Sequence, residues 1–95
     1  MFDVITLGDC TVDTYAMIDE KNPDVHLSGD KRLLCLEYAD KINIFEAGEA
    51  VGGNAANIAV GVQRFGLKSA IVTELGNDLN AEFILKQLKT EKIHT

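Results

Sequence analysis

The chain has 95 residues, 46% of them hydrophobic and 25% charged, with a formal net charge of −6. That length holds one domain or part of one, and the composition is that of a folded globular chain. There is no Lys/Arg cluster and no apolar run longer than a few residues, so neither nucleic acid, nor a membrane surface, nor a membrane span is expected.

Met1-Phe2-Asp3-Val4 lacks a basic segment followed by an apolar core, so no secretory signal is expected. Val4-Ile5-Thr6-Leu7 is a short β-rich run ending at Gly8-Asp9, and it predicts a buried parallel strand. Polar residues follow at Cys10-Thr11-Val12-Asp13. Groups just past the carboxyl end of a buried strand lie where open α/β sheets bind ligands. Thr11 and Asp13 share sequence parity, so an extended backbone presents both on one side. The plainer alternative is that Asp9, Thr11 and Asp13 cap and solvate a turn.

Tyr15 to Asp19 predicts another strand. Glu20 to Asp30 holds Asn22-Pro23, Ser28 and Gly29 and predicts a loop, where Pro23 forbids a central strand. Arg32–Tyr38 and Lys41–Glu46, separated by Ala39-Asp40, predict a hairpin with one wet face. A small antiparallel sheet is thus expected between the first strand and the main helix. Inserted on the ligand side of a scaffold, such a sheet reads as a lid or as a plain cover for the core.

The chain then reaches Gly52-Gly53-Asn54-Ala55-Ala56-Asn57. Two successive glycines let something come close to the backbone. Ala55, Ala56, Ile58, Ala59, Val62 and Phe65 have helical spacing, with Asn54 a plausible N-cap. A glycine turn opening a helix offers free N–H groups and the positive end of the helix dipole. Gly61 weakens the helix and suggests close packing on the sheet. Gly66 is a natural stop.

Lys68–Leu75 predicts the next strand, and strand–helix–strand implies a right-handed crossover onto a parallel sheet. Gly76-Asn77-Asp78 breaks that strand and caps a second helix, whose apolar stripe is Leu79, Phe83, Ile84 and Leu88. Ile93-His94-Thr95 reads as the start of a further element. Two parallel strands and two helices leave a sheet face and edge uncovered. The α/β architecture is therefore expected to be the opening part of a larger domain.

Cys10 and Cys35 lie apart and outside any CxxC pattern, which reads as two reduced thiols of a cytoplasmic protein. His26 and His94 have no spaced partners, so no metal site is expected. By residue chemistry the candidate ligand site is Asp13 and Thr11 facing Gly52, Gly53 and Asn57. A carboxylate accepts from two neighbouring hydroxyls, and an amide both donates and accepts, so the set suits a polyhydroxylated ligand.

The run from Gly52 to Ala59, followed by Gly66 and Gly76, is similar to the first signature of the ribokinase/PfkB family of carbohydrate kinases. The opening strand with Gly8–Asp13 resembles that family's N-terminal motif, which also ends in an aspartate. The resemblance covers essentially the whole chain in order. It implies a ribokinase-like fold over residues 1–95, a parallel βαβ core with a small antiparallel lid within residues 14–50. It implies ATP- and Mg2+-dependent phosphorylation of a sugar or nucleoside hydroxyl in the full-length family member. Carried over by position, Asp13 binds substrate hydroxyls with Thr11 nearby. Gly52 and Gly53 admit the substrate to the backbone, and Asn57 bonds a further hydroxyl. The family's lids also imply a homodimer through the lid strands.

Two departures bear on the substrate. The family often has Asn where Thr11 stands, and ribokinases proper have Lys-Gly where Asn54-Ala55 stand, so other sugars, sugar acids and nucleosides stay open. The family's catalytic base lies in a Gly-Ala-Gly-Asp motif that this sequence lacks, as it lacks the ATP-binding segments. Phosphoryl transfer needs a positioned base and charge neutralisation. These 95 residues are therefore expected to bind no ATP and to have no turnover of their own. The alternative is a non-catalytic kinase-like module that binds a sugar or nucleoside, or pairs through its lid strands. A dinucleotide-binding oxidoreductase is disfavoured, because its GxGxxG turn should follow the first strand directly. A P-loop NTPase is excluded by the lack of GxxxxGK[ST].

Overall fold

The computed structural model describes all residues, Met1–Thr95. In chain order the elements are β1 (Val4–Leu7), β2 (Thr11–Ile18), β3 (Val25–Leu27), β4 (Leu34–Leu36), β5 (Ile44–Gly52), α1 (Asn54–Arg64), β6 (Ser69–Val72) and α2 (Leu79–Thr90). They divide into two compact units, Met1–Asp13 with Ala50–Thr95, and Thr14–Glu49. No helix is long and apolar enough to cross a membrane.

The first unit is a parallel βαβ arrangement. β1 pairs with β6 in parallel, from Val4 opposite Ser69 to Leu7 opposite Val72. A parallel pair needs a crossover, and α1 supplies it, packing on both strands. The core is Ala55, Ala56, Ala59, Ile71, Ile84, Leu88 and Ile93. Alanines on the inner face of α1 let the helix lie close to the sheet. Ser69 fixes the two together: its hydroxyl donates to the carbonyl of Ala59 at 2.8 Å, and its N–H donates to Gln63 Oε1 at 3.0 Å. On the far edge of β6 the Ile71 N–H donates to the carbonyl of His94 at 2.9 Å, and Ala70 and His94 form a parallel bridge. The chain end thus joins β6 through a single parallel bridge.

Several expectations are corrected. β1 is not buried throughout: Thr6 faces the core, whereas Ile5 is 61% and Leu7 80% exposed. Alternate residues of a strand point to opposite faces, and only one face of this strand is covered. Ile58 in α1 is 55% exposed, and Phe65, its C-cap, 89%. Seven residues apart, they share a face turned from the alanines, so the buried stripe is narrower than the apolar count suggests. Leu79, at the first turn of α2, is also exposed, and Ala81 joins Ile84 and Leu88 inside.

The helix ends follow local rules. Asp78 accepts from the Ala81 N–H at 2.9 Å as N-cap of α2. Gly66, at φ 89°, closes α1: its N–H donates to Gln63 and the Leu67 N–H to Val62. This doubly bonded stop needs a left-handed residue. Gly61 has open space where a side chain would stand, so it serves no close packing. Gly61→Ala is accordingly expected to raise stability by about 1 kcal/mol, read as a shift of the urea midpoint at unchanged slope. A lowered midpoint would show that something contacts this glycine after all.

The second unit holds a true hairpin, but not the expected one. β3 and β4 are antiparallel, with His26 opposite Cys35. β3 lies inside the Glu20–Asp30 stretch that reads as a loop, the turn Ser28–Leu33 runs on into the expected Arg32–Tyr38 strand, and no Arg32–Tyr38/Lys41–Glu46 hairpin forms. Side-chain bonds build the turn: Asp30 accepts from the Arg32 N–H and the Ser28 hydroxyl, and the Leu33 N–H donates to Ser28 Oγ. Asp, and more weakly Ser, favour turns through such side-chain bonds to the backbone. Ile44 instead begins β5, which pairs with β2. Tyr15 lies against Gly48, whereas Thr11 and Asp13 lie against Gly52, so β2 and β5 run in opposite directions.

Candidate functional site

β1 is followed by Gly8, whose N–H donates to the carbonyl of Val72 at 3.1 Å. After a two-residue turn the chain enters β2, four residues earlier than the sequence suggests. Alternation then sorts the side chains. Cys10 and Val12 pack against the core, while Thr11 and Asp13 are exposed. The Thr11 hydroxyl donates to Asp13 Oδ1 at 3.0 Å.

The glycine pair meets this segment directly. A Cβ on Gly52 would fall on the Asp13 carboxylate, 2.8 Å from its Cγ and 2.9 Å from Thr11 Oγ1. Gly53 has φ 94°, and a Cβ there would stand 2.5 Å from the carbonyl oxygen of Asp9 and 3.0 Å from Cys10 Cα. The space freed at these two points is thus occupied by the chain itself. That differs from the reading in which the bare backbone is open to a ligand.

The N-cap of α1 is Gly53, not Asn54, which is already helical. A helical backbone points the Asn54 side chain away from the first-turn N–H groups, so α1 opens with no side-chain cap. The Asn57 N–H donates to the carbonyl of Gly53 at 2.9 Å, closing the first turn, and its side chain is exposed. The structure therefore brings Thr11, Asp13 and Gly52 together and joins Gly53 to the Asp9–Cys10 backbone. Asn57 stays one turn along α1, without a hydrogen bond to Asp13 or Thr11.

A cleft of about 510 Å³ lies past the carboxyl ends of β1 and β6, lined by Leu7, Gly8, Asp9, Cys10, Val72, Thr73 and Glu74. The Thr73 hydroxyl is buried there without a hydrogen-bond partner. Sequence reasoning passes over Thr73. Its one signal is its place immediately after a parallel strand, where open α/β sheets bind ligands.

The parallel unit and the polar residues that close it define a ribokinase-like α/β fold. The model of the family described as pfkB family carbohydrate kinase matches residues 12–95. The chain belongs to that family. A protein of Pyrococcus horikoshii, named as a candidate sugar kinase, is 37% identical over 65 residues, covering 66% of this chain and 20% of its own length. An ATP-dependent 6-phosphofructokinase of Thermoanaerobacterium thermosaccharolyticum is 32% identical over 79 residues, covering 81% of this chain and 24% of its own. The solved fructokinase of Halothermothrix orenii superposes with a TM-score of 0.60 at 28% identity, over 96% of this chain and 26% of that one. The chain thus spans about a fifth to a quarter of the length of these three proteins.

Proposed function

We propose that this chain is the acceptor-binding part of an ATP-dependent sugar kinase. The observation that carries the reading is the Asp13 carboxylate, exposed and set against Gly52 just ahead of the uncapped start of α1. An exposed carboxylate with free lone pairs accepts from two hydroxyls of a polyol. The first-turn N–H groups of α1 supply donors at the start of the helix, and the Asn57 amide another one turn along it. Asp13, Thr11, Gly52, Gly53 and Asn57 form the acceptor side, and the ligand is a sugar, sugar acid or nucleoside handled in the cytoplasm.

ATP is the phosphoryl donor the family implies for a whole kinase. No three His, Cys, Asp or Glu side chains of this chain converge as metal ligands. Exposed Tyr15, Met17, Leu34, Leu36, Ile44 and Phe45 on the strands of the second unit favour pairing of two copies through a lid.

The test is a titration of the chain with D-fructose, D-gluconate, D-ribose and adenosine, followed by NMR, with a coupled ADP assay on each. The expected result is saturable binding of at least one ligand and no ADP. Binding of none would overturn the acceptor role, and ADP formation would overturn the confinement to it. The second reading is a non-catalytic kinase-like module that binds a sugar or nucleoside. It predicts the same binding from a full-length parent that also makes no ADP.

A further inference from the structure

Thr11 and Asp13 share the exposed side of β2, but the geometry separates them. The Thr11 hydroxyl carries one proton, and it is given to Asp13 Oδ1 at 3.0 Å. The other carboxylate oxygen lies against Gly52, in the space a Cβ would take. The same absent Cβ would stand 2.9 Å from Thr11 Oγ1. Both side chains therefore rest on one bare residue and on each other. A lone exposed aspartate on a strand samples several rotamers. Here one oxygen is tethered from its own strand, and the other is seated on the neighbouring strand.

We infer that Thr11 is a positioning residue that acts on the ligand only through Asp13. Its hydroxyl and the bare Gly52 hold the carboxylate in a single rotamer before any sugar arrives. Preorganisation of this kind raises affinity because the ordering cost is met in folding, not on binding. The inference rests on the acceptor reading above for its ligand, but the rotamer it assigns to Asp13 does not.

The experiment has two arms. In the first, three-bond couplings to the Asp13 Cβ protons are measured on the ligand-free chain. The expected result is one staggered rotamer in the parent and in Thr11→Ser, and averaged couplings in Thr11→Val. Averaged couplings in the parent, or unchanged couplings in Thr11→Val, would overturn the inference whatever the ligand is. In the second, D-fructose and the other three probes are titrated by NMR, which reads millimolar dissociation constants. Thr11→Val is expected to weaken binding about tenfold, the size of a hydrogen bond to a charged group, with Thr11→Ser retaining it.

The two arms read together separate positioning from contact. Weakened binding in Thr11→Val with the single Asp13 rotamer kept would make Thr11 a direct contact and sink the inference while leaving the acceptor reading intact. Failure of the parent to bind any probe, with the rotamer result as expected, would sink the acceptor reading alone.

Discussion

Gly53→Ala is expected to destabilise the first unit by about 3 kcal/mol or more, a loss in the range reserved for strained or overpacked substitutions. Two independent effects add. The backbone is held at φ 94°, where an L side chain meets its own carbonyl. The new Cβ would also stand 2.5 Å from the Asp9 carbonyl oxygen. That atom is backbone, so no rotamer change relieves the clash, and the turn between β1 and β2 must move. The turn is tied at Gly8 to Val72, so its movement would reach the β1–β6 pairing. Urea denaturation followed by far-UV circular dichroism checks the loss. Gly61→Ala is the matched control, the same chemical change at an open helical site with the opposite expected sign. An unchanged midpoint for Gly53→Ala would mean that the close contact is not a feature of the folded chain.

The contrast between these two glycines shows where the sequence stops being readable. Helix boundaries are local, so Gly66 as a stop and Asp78 as a cap follow from their neighbours alone. The parallel β1 is legible from its β-branched run and from the helix that follows. Its exposed face is not, because the strand cannot say which of its sides is covered. The β3–β4 hairpin is missed for a different reason. Its turn is built by Ser28 and Asp30 side chains in a polar stretch, and polarity alone looks like a loop.

The site divides along the same line. The shared face of Thr11 and Asp13 follows from parity within one strand. The likeness to the family's glycine signature follows from residue order. What lies against Gly52 and Gly53 does not, since it depends on a strand end nearly forty residues away in the chain, between Asp13 and Gly52. Sequence reasoning gives the freed space to a ligand, whereas the fold fills it first with Asp13 and the Asp9 carbonyl. Gly52 admits the Asp13 carboxylate, and Gly53 admits the turn that leads to it.

Asp13→Ala should therefore be the substitution that removes sugar binding while sparing the fold. Asp13 is exposed and contributes nothing to the cluster built on Ala59, Ile71 and Leu88. Removing its carboxylate leaves Gly52 beside open space, not a buried void, so the denaturation midpoint should hold. Binding is another matter. A carboxylate accepting from two hydroxyls makes two charge-assisted bonds, each worth about 1.5–3 kcal/mol. Their joint loss corresponds to about a hundredfold or more in dissociation constant. Asp13→Asn keeps the shape and the acceptor oxygen that Thr11 reaches, but surrenders the charge and turns one acceptor into a donor. It should fall between the parent and the alanine variant, with a midpoint equal to both. NMR titration with D-fructose and the other probes, run beside thermal denaturation of the three proteins, reads affinity and stability separately. An alanine variant that binds as the parent does would take the acceptor site away from Asp13 altogether. A variant that loses affinity and stability together would make the residue a support of the β2–β5 junction, and the ligand would then have to be sought elsewhere, first in the cleft beside Thr73.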